Sequence, residues 1–126
     1  MILLDTSVLI DSFTADQRGA PALRRALENG ERLQLPALVV YEWMRGPRIP
    51  AELELQEELF PAEQAIPFEV EDALLSARIY RSVRRARGRE IDVAIAACAI
   101  NREAPLWTLN PADFSDIPGL QLYQPR

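Results

Sequence analysis

The period of the apolar residues changes several times along the chain, and each change marks an element. Ile2, Leu3 and Leu4 form an unbroken apolar run that stops at Asp5, the pattern of a short strand buried on both faces. Thr6 and Ser7 follow, and Val8, Leu9 and Ile10 then carry a short helix, with Ser7 as its cap and Asp11 and Ser12 near its end. From Ala20 to Asn29, Leu23, Ala26 and Leu27 recur at helical spacing, and Asn29-Gly30 supplies the stop. Arg32 to Leu35 alternates as a second strand, closed by Pro36. Ala37 to Arg45 reads as a helix that is apolar nearly all round except at Glu42, ending at Gly46-Pro47.

Pro50 at a first helical position opens an acidic helix through Phe60. Ala65 to Phe68 is a brief strand that Pro67 confines to an edge. A long helix is predicted from about Glu71 to Arg87, closed by Gly88, and a second from Glu90 to Asn101, so rich in alanine and so apolar that it must be central. Leu106 to Leu109 forms a further strand, Asn110-Pro111 a turn, and Leu120 to Tyr123 a last strand. Strands alternating with helices predict an α/β domain in which helices flank a short, central, mainly parallel sheet.

Composition narrows the chemistry more than it narrows the fold. The 126 residues suit one domain spanning 1–126, with no apolar run long enough for a bilayer and no basic leader, so a cytoplasmic, non-membrane protein is expected. There is one cysteine, Cys98, and neither histidine nor lysine. Those absences exclude disulfide frameworks, thiolate cages, His-ligated zinc, Ser-His-Asp and Cys-His nucleophiles, Schiff bases and P-loop lysines. Carboxylates must carry any catalysis. The net charge of −5 opposes a nucleic-acid partner, yet six arginines fall between Arg78 and Arg89, among them Arg81, Arg84 and Arg85. They read either as a solvated helix face or as a strip that contacts phosphates.

Four acids stand in apolar surroundings or at the end of a strand: Asp5, Glu42, Asp92 and Asp113. Each has an ordinary reading. Asp5 suits a turn or N-cap, Asp92 the first turn of a helix where the macrodipole favours it, and Asp113 an Asx-turn. Glu42 lies among Val39, Val40, Tyr41, Trp43 and Met44 and so faces the core or a cleft. Buried carboxylates need compensation, and clustering around a hard divalent cation, Mg²⁺ or Mn²⁺, would provide it. Thr6, Ser7, Thr108 and Asn110 are candidates to orient those carboxylates. Trp43, Tyr80 and Trp107 are assigned to the core, and Cys98 packs as a small hydrophobe.

Four segments, LLDTSVLID, VVYEWMRG, EIDVAIAACAI and LWTLNPADFSDIPGLQLY, resemble in order and spacing the motifs of PIN-domain nucleases, most closely the VapC-type toxins of bacterial toxin-antitoxin pairs. The resemblance covers nearly the whole chain. It implies a three-layer α/β/α PIN fold whose acids converge at the carboxyl ends of the sheet, bind Mg²⁺ or Mn²⁺, and hydrolyse RNA phosphodiester bonds. Carried over by motif, Asp5, Glu42 and Asp92 form the metal-binding core. Asp113 takes the fourth place, because Asn110, where relatives can carry an acid, is neutral here. Gly46 fits the same pattern. The resemblance further implies a homodimer and a cognate antitoxin whose C-terminal segment covers the groove, with the acidic helix and the arginine helix as candidate faces for antitoxin docking or for dimer contact.

Two rivals are weighed against this. A haloacid-dehalogenase-like phosphohydrolase needs a second aspartate two residues after the first, where this chain has Ser7, and a lysine, which it lacks. A non-catalytic PIN-like module that binds RNA or protein without cutting would keep metal affinity but cleave nothing.

Overall fold

The computed structural model describes residues 1–126 and resolves them into three strands and six helices. Strand β1 (Ile2–Leu4) lies in the middle of a parallel sheet of order β2-β1-β3, with β2 at Leu33–Gln34 and β3 at Leu106–Trp107. Ile2 faces Leu33 and Leu3 faces Gln34 on one side, while Leu3 and Leu4 meet Leu106 and Trp107 on the other. Successive strand residues point to opposite faces. Ile2, Leu3 and Leu4 are all at most 3 % exposed, so both faces are covered, which is the three-layer arrangement the sequence predicts.

The helices are α1 (Thr6–Phe13), α2 (Ala20–Glu28), α3 (Ala37–Arg45), α4 (Pro50–Leu59), α5 (Val70–Ser82) and α6 (Glu90–Asn101). Helix α6 is central, as its composition requires: Val93 and Ile95 through Ala99 are buried, and α6 packs along α5 and touches α3. Helix α1 leads out of β1 and packs on α2, α3 and α4. Phe13, Trp43 and Phe60 interlock beneath it, with Trp43 edge-on to Phe13 at 5.9 Å between centroids. Cys98 lies inside this core, where burial pushes its thiol up to about 12.

Several boundaries differ from the sequence reading, each for a local reason. The segments at Ala65–Phe68 and Leu120–Tyr123 contribute only single bridges, Pro36 to Ile66 and Leu106 to Leu122. Pro67 has no N–H to extend the first, and Gly119, at φ +84°, turns the chain sharply into the second. Helix α5 stops at Ser82, five residues short of Arg87. The Ser82 hydroxyl donates to the Ile79 carbonyl at 3.0 Å, Val83 is extended, and Arg85 takes φ +54°. Arg84 and Arg85 therefore occupy a turn, and the predicted arginine helix is divided. Tyr80, assigned to the core, is 38 % exposed on α5, whereas Trp43 and Trp107 are buried.

A buried ion pair that the sequence reading did not identify joins α5 to α6. Asp72, 1 % exposed, accepts from Glu69 N–H at 2.8 Å, from Asn101 Nδ2 at 2.9 Å, and from Arg102 Nη1 and Nη2 at 2.8 and 3.0 Å. Burial alone would raise its pKa, but Arg102, Asn101 and the Glu69 N–H together hold it down to about 2. Spacing gives no signal for it, because Asp72 and Arg102 are distant in sequence and neither sits in a motif.

Candidate active site

Where β1 ends, Asp5 becomes the residue preceding α1, in extended backbone at φ −77°, ψ 155°. It occupies the N-cap position without capping the helix through its side chain. Ser7, expected to cap that helix, does something else. Its Oγ donates to Asp5 Oδ2 at 2.8 Å and accepts the Leu109 N–H at 3.0 Å. Thr108 Oγ1 repeats the arrangement from β3's end, donating to the same Oδ2 at 2.8 Å and accepting the Asn110 N–H at 3.0 Å. Two hydroxyls, each given direction by a backbone N–H, thus hold one carboxylate oxygen, and Oδ1 takes no hydrogen bond from the protein. Asp5 is only 5 % exposed, yet one oxygen remains available for a ligand.

Glu42, on α3, is held by α1: Thr6 Oγ1 donates to its Oε1 at 2.6 Å. Its Oε2 faces Arg45 Nη2 at 3.4 Å, and the Arg45 guanidinium rests 5.1 Å from the centroid of Tyr41. Asp92, in the first turn of α6, has its pKa pushed up to about 6, chiefly by desolvation and then by the charges of Asp5, Glu42 and Asp113, with Arg89 opposing. Asp5, Glu42 and Asp113 come from separate parts of the chain, and their charges all bear on Asp92. A cleft of about 310 Å³ opens beside it, lined by Glu42, Arg45, Gly88, Glu90, Ile91 and Asp92. A larger cleft of about 390 Å³ between α2 and the C-terminal segment has a single acid, Glu31, and no comparable cluster.

The donor set suits a hard divalent cation. Every ligand on offer is a carboxylate oxygen, Asp5 presents a free Oδ1, and repulsion around Asp92 is what a cation would relieve. As the side chains lie, no three acids form a ready-made cage. Magnesium is ordinarily held by one or two carboxylates with waters completing its octahedron, so a closed cage is not required.

The chain as a whole matches a known architecture. A family model described as the PIN domain matches residues 2–120. The chain belongs to the PIN-domain family. This PIN domain is similar to Ribonuclease VapC19 of Mycobacterium tuberculosis, 32% identical over 123 residues that cover 96% of this chain and 98% of that one. Among solved structures, DNA-bound VapBC from Salmonella typhimurium has the same fold, with a TM-score of 0.77 at 21% identity over 97% of this chain and 96% of the other. FitAcB from Neisseria gonorrhoeae gives 0.69 at 24% identity, over 98% and 97%. A toxin-antitoxin complex from Klebsiella pneumoniae gives 0.65 at 25% identity, over 95% of each chain.

The remaining candidates divide. Asp113 closes a short 3-10 turn, Pro111–Asp113, with its side chain exposed and its backbone carbonyl accepting from Arg89. Asn110 contributes through its backbone N–H to Thr108. Arg78, Arg81, Arg84 and Arg85 are exposed and take part in no ion pair, whereas Arg45 pairs with Glu42, and Arg89 pairs with Asp116 while its charge bears on Asp92. In the sequence Arg45 reads only as the end of its helix and Arg89 only as one of a run. Arg45, three residues after Glu42 on a helix, carries the one available signal, since that spacing puts the two on one face.

Proposed function

We propose that this PIN domain is a Mg²⁺- or Mn²⁺-dependent endoribonuclease that acts as the toxin of a toxin-antitoxin pair. The observation that carries the reading is Asp5 at the carboxyl end of β1, fixed by two hydroxyls with one oxygen left free, its charge bearing on Asp92 together with those of Glu42 and Asp113. The 32% identity to a ribonuclease over nearly the whole length supports it.

Asp5 and Asp92 would hold the cation, with Glu42 and Asp113 assisting. When bound, such a cation lowers the pKa of water and offsets the charge of a phosphodiester. The protein's own part is positional. Thr6, Ser7 and Thr108 fix the carboxylates before substrate arrives, which removes reorganisation from the reaction. Arg45 at the cleft and the exposed Arg78, Arg81, Arg84 and Arg85 are the groups available to phosphates, and such contacts position RNA without reading its bases. With neither imidazole nor amine side chain present, proton transfer falls to carboxylates and water.

Neighbours solved as VapBC and toxin-antitoxin complexes support an antitoxin protein as the partner, while the homodimer rests on the family resemblance of the sequence motifs. No helix is long and apolar enough to cross a membrane. The deciding experiment is RNA cleavage by purified protein with Mg²⁺ or Mn²⁺, with EDTA, and with Asp5→Asn. Cleavage by the wild type alone, abolished by EDTA, is expected. Full activity in Asp5→Asn would refute the assignment, and Mn²⁺ binding without cleavage of any RNA would favour a non-catalytic module.

A further inference from the structure

We infer that Arg89 and Asp116 form a strap that positions Asp113 against Asp92, an inference that rests on the metal-dependent reading of this site. Arg89 is the N-cap residue of α6, three positions before Asp92. Its guanidinium donates from Nη2 to Asp116 Oδ1 at 2.6 Å and from Nη1 to Asp116 Oδ2 at 2.9 Å, a bidentate pairing between residues distant in sequence. Nη2 also donates to the Asp113 carbonyl at 2.9 Å, and Nη1 to the Arg84 carbonyl at 3.3 Å. One rigid plane therefore ties the start of α6, the 3-10 turn carrying Asp113, and the turn after α5.

The strap has something specific to hold. Between Thr108 and Gly119 the only regular structure is the turn Pro111–Asp113. Phe114 and Ile117 anchor this segment in the core at 2 % and 4 % exposure, so the segment stays attached without the strap. Asp113 itself sits outside those anchors, exposed, with no side-chain hydrogen bond of its own. Its N–H donates to the Asn110 carbonyl at 3.0 Å within the turn, and its own carbonyl's bond to Arg89 ties that turn to the start of α6, three residues from Asp92. Asp116 is 45 % exposed and Arg89 21 %, and a pair so open adds little to stability. Its geometry is nonetheless demanding. Lysine has a point charge on a flexible stem and lacks the rigid planar fork that meets both carboxylate oxygens side by side while reaching a carbonyl. Arg89 and Asp116 are thus positioning residues acting through Asp113.

The test is Mn²⁺ affinity of the full chain, measured by calorimetry for wild type, Arg89→Lys, Asp116→Asn, Asp113→Asn and the pairing of Arg89→Lys with Asp113→Asn, with circular dichroism melts alongside. Arg89→Lys and Asp116→Asn are each expected to weaken Mn²⁺ binding by about tenfold or more with melting temperatures nearly unchanged. In the Asp113→Asn background, Arg89→Lys should add less than about a twofold further loss, because the residue it positions no longer ligates. Wild-type affinity in Arg89→Lys and Asp116→Asn overturns the inference, as does an undiminished Arg89→Lys loss in the Asp113→Asn background. Should Arg89→Lys fail to fold, Asp116→Asn and its pairing with Asp113→Asn carry the same comparison. A wild type that binds no Mn²⁺ overturns the metal reading of the site, and this inference with it.

Discussion

Replacing Asp92 with asparagine removes a charge that the fold holds at a cost, so the variant should be more stable than the wild type while losing activity. The carboxyl is held at about 6 against an ordinary 3.8, by desolvation first and by Asp5, Glu42 and Asp113 next. A rise of that size corresponds to about 3 kcal/mol at full ionisation. Asp92 is only partly buried and solvent screens its neighbours, so about 1–2 kcal/mol is the expected gain. In a domain of this length that is roughly 3–8 °C in melting temperature.

The sign follows from proton binding. Between pH 3.8 and about 6 the folded protein retains a proton that the unfolded chain has lost, so stability falls as pH rises through that window and the penalty is complete above it. Thermal melts in EDTA at pH 4 and pH 8 measure this. Asp92→Asn should match the wild type at pH 4 and exceed it at pH 8. Adding Mg²⁺ or Mn²⁺ at pH 8 should raise the wild-type melting temperature, since a ligand that binds only the folded state stabilises it, and should raise that of Asp92→Asn much less. An Asp92→Asn protein that is less stable than wild type at pH 8, with an unchanged pH slope, would refute the electrostatic reasoning.

Two further expectations concern the network around Asp5 and the buried pair. Ser7→Ala and Thr108→Val each remove one donor to Asp5 Oδ2, and each should lower the rate of RNA cleavage by about tenfold at unchanged fold, read from kcat; activity equal to wild type in both would show that Asp5 needs no orientation. Asp72→Ala strands a half-buried Arg102 and should cost about 2–3 kcal/mol in urea melts. In the wild type the depressed pKa of Asp72 implies about 2 kcal/mol of stability, present above pH 3.8 and lost as pH falls toward about 2.

The first eleven residues alone indicated both β1 and the carboxylate at its end, because a short run of large apolar residues with a polar stop is the pattern of a strand covered on both faces, and the stop marks the strand's carboxyl edge. Helices α3 and α6 were legible to the residue, at Ala37–Arg45 and Glu90–Asn101, since proline, glycine and alanine content mark their limits. The end of α5 was not. Ser82 and Val83 break it with weak local signals, while arginines beyond it are good helix formers and extend the pattern past the true stop.

Sequence by itself therefore determined the order of elements, the elimination of histidine, lysine and thiol chemistry, and the short set of acids left to do the work. Those properties are local or compositional, and reading them requires no knowledge of who touches whom. Only the tertiary structure decided that Ser7 turns back to Asp5 instead of capping α1, that Thr108 arrives from β3 to hold the same oxygen, and that Arg89 grips Asp116 and the Asp113 carbonyl. Each of these links, apart from Ser7 to Asp5, joins residues far apart in sequence. Parallel strand order puts the ends of β1 and β3 side by side, and a hydrogen bond formed across that edge leaves no periodic trace in the sequence.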